Sequence, residues 1–213
     1  MICQPNQSSE YSFSSDWFSH NIPSLNSIFD HLKPQRILEI GSFEGRSTVF
    51  FIEKALEYQP SVEITCIDSW EGGAEHAGVW NMGQVEQNFV HNIKLAIAHY
   101  PTATVHKKRG YSHPRMIELL ANGYEGYFDY IYIDGSHEAP DVLFDALLAH
   151  RLVRQGGIIS FDDYLWSPDN EGEQRHYMLV KPAVDHYVNT YQQKLHVIQN
   201  LPPYQLHVIK RKD

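Results

Sequence analysis

An apolar strand that passes through a glycine-spaced loop into an amphipathic helix constrains the fold of this chain more than any other feature. Residues 36–48 read Arg-Ile-Leu-Glu-Ile-Gly-Ser-Phe-Glu-Gly-Arg-Ser-Thr. Gly41 and Gly45 permit backbone dihedral angles that a side chain would forbid. The helix that follows, from Arg46 or Ser47, points its free N–H groups at the loop. The segment therefore predicts a ligand-binding turn, with an ordinary strand-to-helix turn as the alternative.

The residues in and after this loop narrow the class of ligand. Dinucleotide enzymes hold a pyrophosphate over G-x-G-x-x-G, and this loop lacks the middle and third glycines of that pattern. The acid Glu39, placed before the first glycine, suits a cationic ligand such as the amino group and sulfonium of S-adenosylmethionine. The second strand, over 62–67, ends in Asp68, where a carboxylate can accept two hydrogen bonds from a ribose diol. A turn or capping aspartate is the alternative for Asp68.

Composition excludes several classes of protein. The 213 residues, 42% of them hydrophobic, suffice for one domain, and we expect an N-terminal cap over 1–35 and a core over 36–213. The formal charge of -9 and the lack of a long basic run disfavour nucleic acid as a partner. No apolar run approaches the roughly 20 residues of a membrane span. Cys3 and Cys66 show no metal or redox spacing, so we expect a cytoplasmic protein without a membrane partner.

Helices and strands alternate along the rest of the chain, which predicts a doubly wound α/β fold. A short helix over 23–32 precedes the first strand and belongs to the cap. Another helix begins near Pro140 and continues until the pair Gly156–Gly157 ends it. We expect a seven-stranded, mostly parallel, Rossmann-like sheet that ends in an antiparallel hairpin. The other predicted helices cover 84–99, 114–120 and 182–191, and the other predicted strands cover 103–107, 127–133, 158–161, 194–199 and 204–209.

Acidic residues follow two of these strands directly. Asp134 comes after the strand over 127–133, and Asp162 and Asp163 come after the strand over 158–161. Because parallel strands deliver their carboxyl ends to one edge of the sheet, we expect the three carboxylates to converge. Such a cluster needs a cation, and Mg²⁺ suits three aspartates better than zinc does. In the alternative, Asp134 bonds adenosine or backbone amides, and the other two acids cap a turn or helix.

His137, three residues after Asp134, is the predicted general base. It lies near the N-terminus of the next helix, whose dipole favours the neutral imidazole, and it could take a proton from a bound hydroxyl. The spare candidates among the 13 histidines are His76, His91 and His113. The glycine-rich stretch over 69–83 carries Trp70 and Trp80 and reads as a lid.

Taken together, the motifs resemble those of class I S-adenosylmethionine-dependent methyltransferases across nearly the whole chain. They are similar to a bacterial O-methyltransferase-like group that includes cephalosporin-type and macrolide-sugar O-methyltransferases. The terminal hairpin also separates the methyltransferase variant of this fold from the dehydrogenase variant. The motifs are Leu-Glu-Ile-Gly-Ser-Phe-Glu-Gly-Arg-Ser from residue 38, Ile-Asp-Ser-Trp-Glu-Gly from residue 67, Tyr-Ile-Asp-Gly-Ser-His from residue 132 and Gly-Gly-Ile-Ile-Ser-Phe-Asp-Asp-Tyr from residue 156.

The resemblance implies a cofactor and the residues that hold it. S-adenosylmethionine would place its ribose on Asp68, and Mg²⁺ would lie among Asp134, Asp162 and Asp163, as in the wider catechol O-methyltransferase-like class. That class usually has Asn where this chain has Asp163, so a sugar or aliphatic alcohol is favoured over a catechol. The residues implied around the methionine moiety are Glu39, Gly41, Ser42, Phe43, Gly45 and Ser47, and those implied beside the adenine are Ser69, Trp70, Tyr111 and Ser112.

We therefore expect a Mg²⁺-assisted O-methyltransferase that acts on a small hydroxylated acceptor, such as a natural product or sugar, with Asp134, Asp162 and His137 as catalytic residues. Mg²⁺ would lower the pKa of the acceptor hydroxyl, and His137 would take its proton. The rival hypotheses are a nicotinamide-dependent oxidoreductase on the same fold and an adenosine-cofactor-binding protein that transfers no methyl group. The sequence leaves the oligomeric state open, a homodimer included.

Overall fold

A seven-stranded sheet forms the centre of the computed structural model, which describes residues 10–73 and 78–212. The strand order is β3-β2-β1-β4-β5-β7-β6. Strands β1 to β5 run parallel, and β7 pairs antiparallel with both β5 and β6. This arrangement confirms the predicted fold class and its terminal hairpin. The strands are β1 Arg36–Ile40, β2 Val62–Asp68, β3 Ala103–Arg109, β4 Phe128–Ile133, β5 Val153–Phe161, β6 Leu195–Val197 and β7 Leu206–Lys210.

Helices cover both faces of the sheet. All six residues of β4 are buried, as expected of a central parallel strand between two helical layers. Tyr130 and Tyr132 pack on the side of α1, α2 and α3, whereas Phe128 and Ile133 pack on the side of α4, α5 and α6. None of the described helices is long and apolar enough to cross a membrane. The helices are α1 Ile22–Leu32, α2 Arg46–Leu56, α3 Met82–His99, α4 Ser112–Ala121, α5 Ala139–Leu152 and α6 Val180–Thr190.

The start of β5 differs from the sequence prediction. Helix α5 ends at Leu152 and the strand begins at Val153, so the glycine pair lies inside β5 and does not end a helix. The register shifts here, because Phe128 pairs with Val153 while Tyr130 pairs with Ile158. A Cβ on Gly157 would lie 2.7 Å from the Asp129 carbonyl oxygen. The glycines therefore accommodate a bulge, which local sequence reads as a helix stop.

Backbone hydrogen bonds tie the loops at the carboxyl edge of the sheet to neighbouring strands. The Gly41 N–H donates to the Ile67 carbonyl at 2.9 Å, and the Asp134 N–H donates to the Ile40 carbonyl at 2.8 Å. The Asp162 N–H donates in the same way to Ile133 at 2.9 Å. The order of strands reverses between β1 and β4, which is where doubly wound sheets bind ligands.

Gly41 controls the approach of β1 to β4. Its φ is +81°, and a Cβ there would lie 1.9 Å from the Asp134 carbonyl oxygen and 2.8 Å from the Gly135 Cα. Both contacts are with backbone, so a side chain at position 41 would push the two loops apart.

We expect Gly41→Ala to lower the free energy of unfolding by about 2 kcal/mol or more beyond the loss in Gly123→Ala. Gly123 is the matched control because its φ is +85° and nothing lies within 4 Å of its Cβ position. Both variants place alanine at a positive φ. The difference between their free energies of unfolding, measured in urea, therefore leaves out the strain that they share. Equal losses in the two variants would contradict a close approach at Gly41.

A second prediction concerns the buried acid Asp145 on α5. Its side chain is 1% exposed, and one carboxylate oxygen has no hydrogen-bond partner among the described residues. Burial raises the pKa of Asp145 from 3.8 to about 7, against the opposing effect of a hydrogen bond from Ser112. The folded state thus binds this proton more tightly than the unfolded state does. The cost of the buried charge is absent below pH 4, grows as the pH rises and is complete above pH 7.

Asp145→Asn should therefore stabilise the protein by about 2 kcal/mol more at pH 8 than at pH 5, since one pKa unit corresponds to about 1.4 kcal/mol. Urea unfolding at the two pH values measures the difference, with the exposed Glu171→Gln as control. A gain that does not depend on pH would show that Asp145 stays ionised in the folded protein.

Candidate active site

A cavity of about 1060 Å³ opens at the carboxyl edge of the sheet. The loops after β1, β2, β3, β4 and β5 line it, together with the segment that precedes α1. Three predicted site residues, Glu39, Gly45 and Trp70, are not among the lining residues. The predicted residues that do line the cavity are Gly41, Ser42, Phe43, Ser47, Asp68, Ser69, Tyr111, Ser112, Asp134, His137, Asp162 and Asp163.

Glu39 lies beneath the loop after β1 and holds it. Its carboxylate is fully buried and accepts hydrogen bonds from the hydroxyls of Ser42 at 2.6 Å, Ser47 at 2.6 Å and Thr48 at 2.5 Å. Burial raises the pKa of Glu39, and the three hydroxyls oppose that rise. The geometry gives Glu39 the role of a loop anchor, whereas the sequence suggested direct contact with a cationic ligand.

Asp68 anchors the same loop from the side of β2. Its Oδ2 accepts the N–H groups of Ser42 and Phe43, each at 2.9 Å, and its Oδ1 accepts the N–H of Trp70 at 2.6 Å. A carboxylate oxygen has two acceptor positions, so Oδ1 retains one for a ligand. Of the two hydrogen bonds to a diol that the sequence predicts, the Asp68 carboxylate has acceptor capacity left for one.

Trp70 and Gly45 support the loop from behind. The indole N–H of Trp70 donates to the Phe43 carbonyl at 2.9 Å, and its ring lies 4.9 Å from that of Phe89. Trp70 is only 2% exposed, so the structure places it away from the adenine border and the lid where the sequence put it. Gly45 caps α2 at a φ of +80°, and a Cβ there would lie 3.0 Å from the Phe89 ring.

Asp134, His137 and Asp163 come together where the loops after β4 and β5 line the cavity. One ligand atom from each lies within 4.8 Å of the others, and this is the set of side chains that could hold a metal ion among the described residues. His137 Nε2 lies 2.9 Å from Asp163 Oδ2, and the Trp166 ring packs 4.4 Å from the imidazole. Burial raises the pKa of Asp134 well above its ordinary value, and the negative charges of Asp162 and Asp163 raise it further.

The carboxylate of Asp162, which the sequence predicts as a metal ligand beside Asp134 and Asp163, forms hydrogen bonds to protein groups. It accepts hydrogen bonds from the Tyr132 hydroxyl, from Asn21 Nδ2 at 2.8 Å and from the Asp163 N–H at 2.9 Å. Burial and the charge of Asp163 raise the pKa of Asp162 to about 6. Asp162 therefore holds Asp163, whose φ is +53°, and joins the N-terminal cap to the sheet. His137 takes the third place in the cluster.

Residues 12–17, which we call the strap, cross the loop after β1. The Ser14 N–H and hydroxyl donate to the Glu44 carboxylate at 2.6 Å and 2.7 Å. Asn92 donates to the carbonyls of both Ser12, at 2.9 Å, and Glu44, at 2.8 Å. The sequence analysis does not predict the strap. Its aromatic residues are the feature of the sequence that indicates a packed segment.

Aromatic rings cover the loop beneath the strap. The Trp17 ring lies 5.0 Å from that of Phe43 and 5.4 Å from that of Trp80. Trp80 lines the cavity, and its role in a lid stays a prediction.

The remaining predicted residues lie at the end of the cavity near β2 and β3. Ser112 begins α4, and the Tyr111 hydroxyl donates to Glu71 at 2.6 Å. Of the spare histidines, His113 lines the cavity and His91 instead contacts the Glu10 carbonyl at 3.1 Å. His76 lies outside the described residues.

Comparison with known protein sequences identifies the family. Residues 38–164, more than half of the chain, match the family described as a methyltransferase domain. "Probable caffeoyl-CoA O-methyltransferase 3" of Dictyostelium discoideum is 29% identical over 136 residues, which are 63% of this chain and 46% of that protein. An uncharacterized protein of Acanthamoeba polyphaga mimivirus is 30% identical over 135 residues, which are 62% of this chain and 53% of that protein. The chain spans about half the length of the curated relatives it matches.

Solved structures of O-methyltransferases share the fold. The O-methyltransferase from Bacillus cereus, in complex with SAH, matches with a TM-score of 0.61 at 16% identity, covering 93% of this chain and 84% of that one. TomG from Streptomyces achromogenes, in complex with SAM, matches with a TM-score of 0.55 at 17% identity, covering 88% and 78%. The family match spans the Gly41 loop and both acidic strand ends. This chain belongs to the family of methyltransferase domains, as its motifs predicted.

Proposed function

We propose that this protein transfers a methyl group from S-adenosylmethionine to a hydroxyl group of a small molecule. The observation that carries the proposal is the cluster of Asp134, His137 and Asp163, which faces the Gly41 loop across one cavity. An acidic cluster with an imidazole suits deprotonation of an alcohol, and the glycine loop suits an adenosine cofactor. The family match and the structures of related O-methyltransferases with SAM or SAH support the same activity.

The cofactor would lie across the loop after β1. Its methionine moiety would meet the backbone of Gly41 and Ser42 near the N-terminus of α2, which has no side-chain cap. Its ribose would donate one hydrogen bond to Asp68 Oδ1. Its adenine would lie towards Ser69, Tyr111 and Ser112, and Trp17 and Trp80 would cover it.

The side chains of the Asp134, His137 and Asp163 cluster fit a divalent cation. Asp134 and Asp163 would hold it through carboxylate oxygens, which are the ligands that Mg²⁺ prefers. A cation beside Asp134 would also offset the repulsion that raises the pKa of this partly buried acid. A bound Mg²⁺ supplies one effect, a lowered pKa of the acceptor hydroxyl.

The other steps belong to the protein's own side chains. His137 takes the hydroxyl proton on the ring nitrogen that does not face Asp163. Asp163, whose Oδ2 lies 2.9 Å from Nε2, accepts the Nε2–H, orients the imidazole and stabilises the resulting positive charge. Trp166 packs against the imidazole and limits its rotation. The strap excludes water from the methyl group during an in-line transfer.

The acceptor in this proposal is a hydroxylated natural product or sugar and not a nucleic acid, since the chain carries a formal charge of -9. A cytoplasmic setting fits the free, buried Cys66.

Calorimetry tests the cofactor. S-adenosylmethionine and its demethylated product should bind, NAD(H) should not, and Asp68→Ala should weaken both adenosine ligands about tenfold or more. An analogue that lacks one ribose hydroxyl separates direct contact from loop disorder. This analogue should bind the wild type more weakly than the demethylated product does, and Asp68→Ala should not weaken its binding further. Absence of S-adenosylmethionine binding at millimolar concentration would overturn the proposed function.

Thermal unfolding tests the cation. Mg²⁺ should raise the Tm of the wild type and of Asp162→Asn, because the Asp162 carboxylate bonds Tyr132, Asn21 and the Asp163 N–H. Asp134→Asn and Asp163→Asn should show no such shift. Loss of the shift in Asp162→Asn would restore the three-aspartate site. Equal shifts in all four proteins would remove the metal from the mechanism.

A further inference from the structure

The charge of the cavity distinguishes this site from one that binds anionic substrates. Eight carboxylate side chains line the cavity, and among the described residues Arg46 is the one lysine or arginine in the lining. Arg46, a cofactor with one net positive charge and a divalent cation would together offset half of these acids and leave the other half uncompensated. Within a cavity, where the dielectric constant is below that of water, such a field repels anions strongly.

Arg46 has partners within the strap and the cap. Its guanidinium lies 3.4 Å from Asp16 Oδ1, donates to the Ser15 carbonyl at 3.3 Å and donates to the Ser19 hydroxyl at 3.1 Å. It also lies 5.3 Å from the centre of the Phe13 ring. A phosphate or carboxylate of an acceptor would have to displace Asp16 to reach this guanidinium, so Arg46 holds the strap and leaves the cavity negative.

The end of the cavity beside His137 combines flat rings with acids. Trp166, Met178 and Tyr204 line it, and Tyr204 lies 5.3 Å from the His20 ring in an edge-to-face arrangement. Glu138 also lines this end and accepts a hydrogen bond from the Tyr177 hydroxyl. Aromatic walls accept the flat face of a ring, and rings with carboxylates are the groups that bind a protonated amine.

From these charges and rings we infer the acceptor class, an inference that rests on the proposed methyltransferase function. The acceptor is a hydroxylated ring compound that is neutral or carries a basic amine. Phosphorylated, carboxylated and coenzyme-A-linked compounds are rejected. This class excludes the coenzyme A thioester for which the Dictyostelium relative is named, although the two sequences are 29% identical over the matched part.

Matched ligands that differ only in charge test the inference. One series contains 3,4-dihydroxyphenethylamine, 4-ethylcatechol and 3,4-dihydroxyphenylacetate, and the other contains glucosamine, glucose and glucuronate. Each compound is titrated by calorimetry into the 213-residue protein saturated with S-adenosylhomocysteine and Mg²⁺, so that binding is measured without turnover. In at least one series the amine and the neutral compound should bind at least about tenfold more tightly than the acid, and the gap should narrow as salt is added.

Binding of an acid, or of caffeoyl-CoA, as tightly as the neutral compound would overturn the inference, as would the absence of binding by every compound. Either result leaves the proposed function in place if S-adenosylmethionine still binds. Loss of cofactor binding would instead overturn the proposed function.

Glu138→Gln supplies the matched variant. Removing this carboxylate from the ring-lined end should lower the preference for amine over acid severalfold. Glu125→Gln is the control, because Glu125 pairs with Arg151 away from the cavity and should leave the preference unchanged. An equal preference in Glu138→Gln and the control would show that the acids at this end do not select the acceptor.

Discussion

The close approach of the β1 and β4 backbones at Gly41 is the constraint on which the rest of the site depends. A side chain at this position would lie 1.9 Å from the Asp134 carbonyl oxygen, so only glycine permits the approach. The contact brings the acids that follow β4 opposite the loop that follows β1. Hydrogen bonds from Gly41 to Ile67 and from Asp134 to Ile40 continue this arrangement across the sheet edge. One glycine thereby joins the proposed cofactor side of the cavity to its catalytic side.

The loop after β1 is held in place before any ligand arrives. Glu39 binds it through three hydroxyls, Asp68 through backbone N–H groups, and Glu44 fastens the strap to it. Phe43 keeps a left-handed φ of +45°, which such anchoring stabilises. The sequence suggested Glu39 and Asp68 as ligand contacts. Most of the hydrogen bonds that these two carboxylates can accept come from the protein itself. A preorganised loop lowers the entropic cost of binding.

The acids after β4 and β5 are harder to accommodate, because burial and the charges of neighbouring acids raise the pKa of Asp134 and of Asp162. Asp162 is stabilised by Tyr132 and Asn21, and Asp163 by His137. Asp134 is the acid for which a cation is the natural partner. Because Asn21 belongs to the cap, the N-terminal segment helps to position the proposed catalytic residues. Arg46 also ties this segment to the core by holding the strap through Asp16.

The sequence by itself determined the order of strands and helices, the glycine loop and the convergence of acids at one sheet edge, because periodicity, glycine spacing and parallel topology are set by local pattern. Only the tertiary structure decided where each carboxylate points. Asp162 turned to Tyr132 and Asn21, and the bulge at Gly157 moved the start of β5, because distant segments supply the partners. A side chain's direction follows from its backbone dihedrals and from neighbours remote in sequence, and neither is visible in a motif.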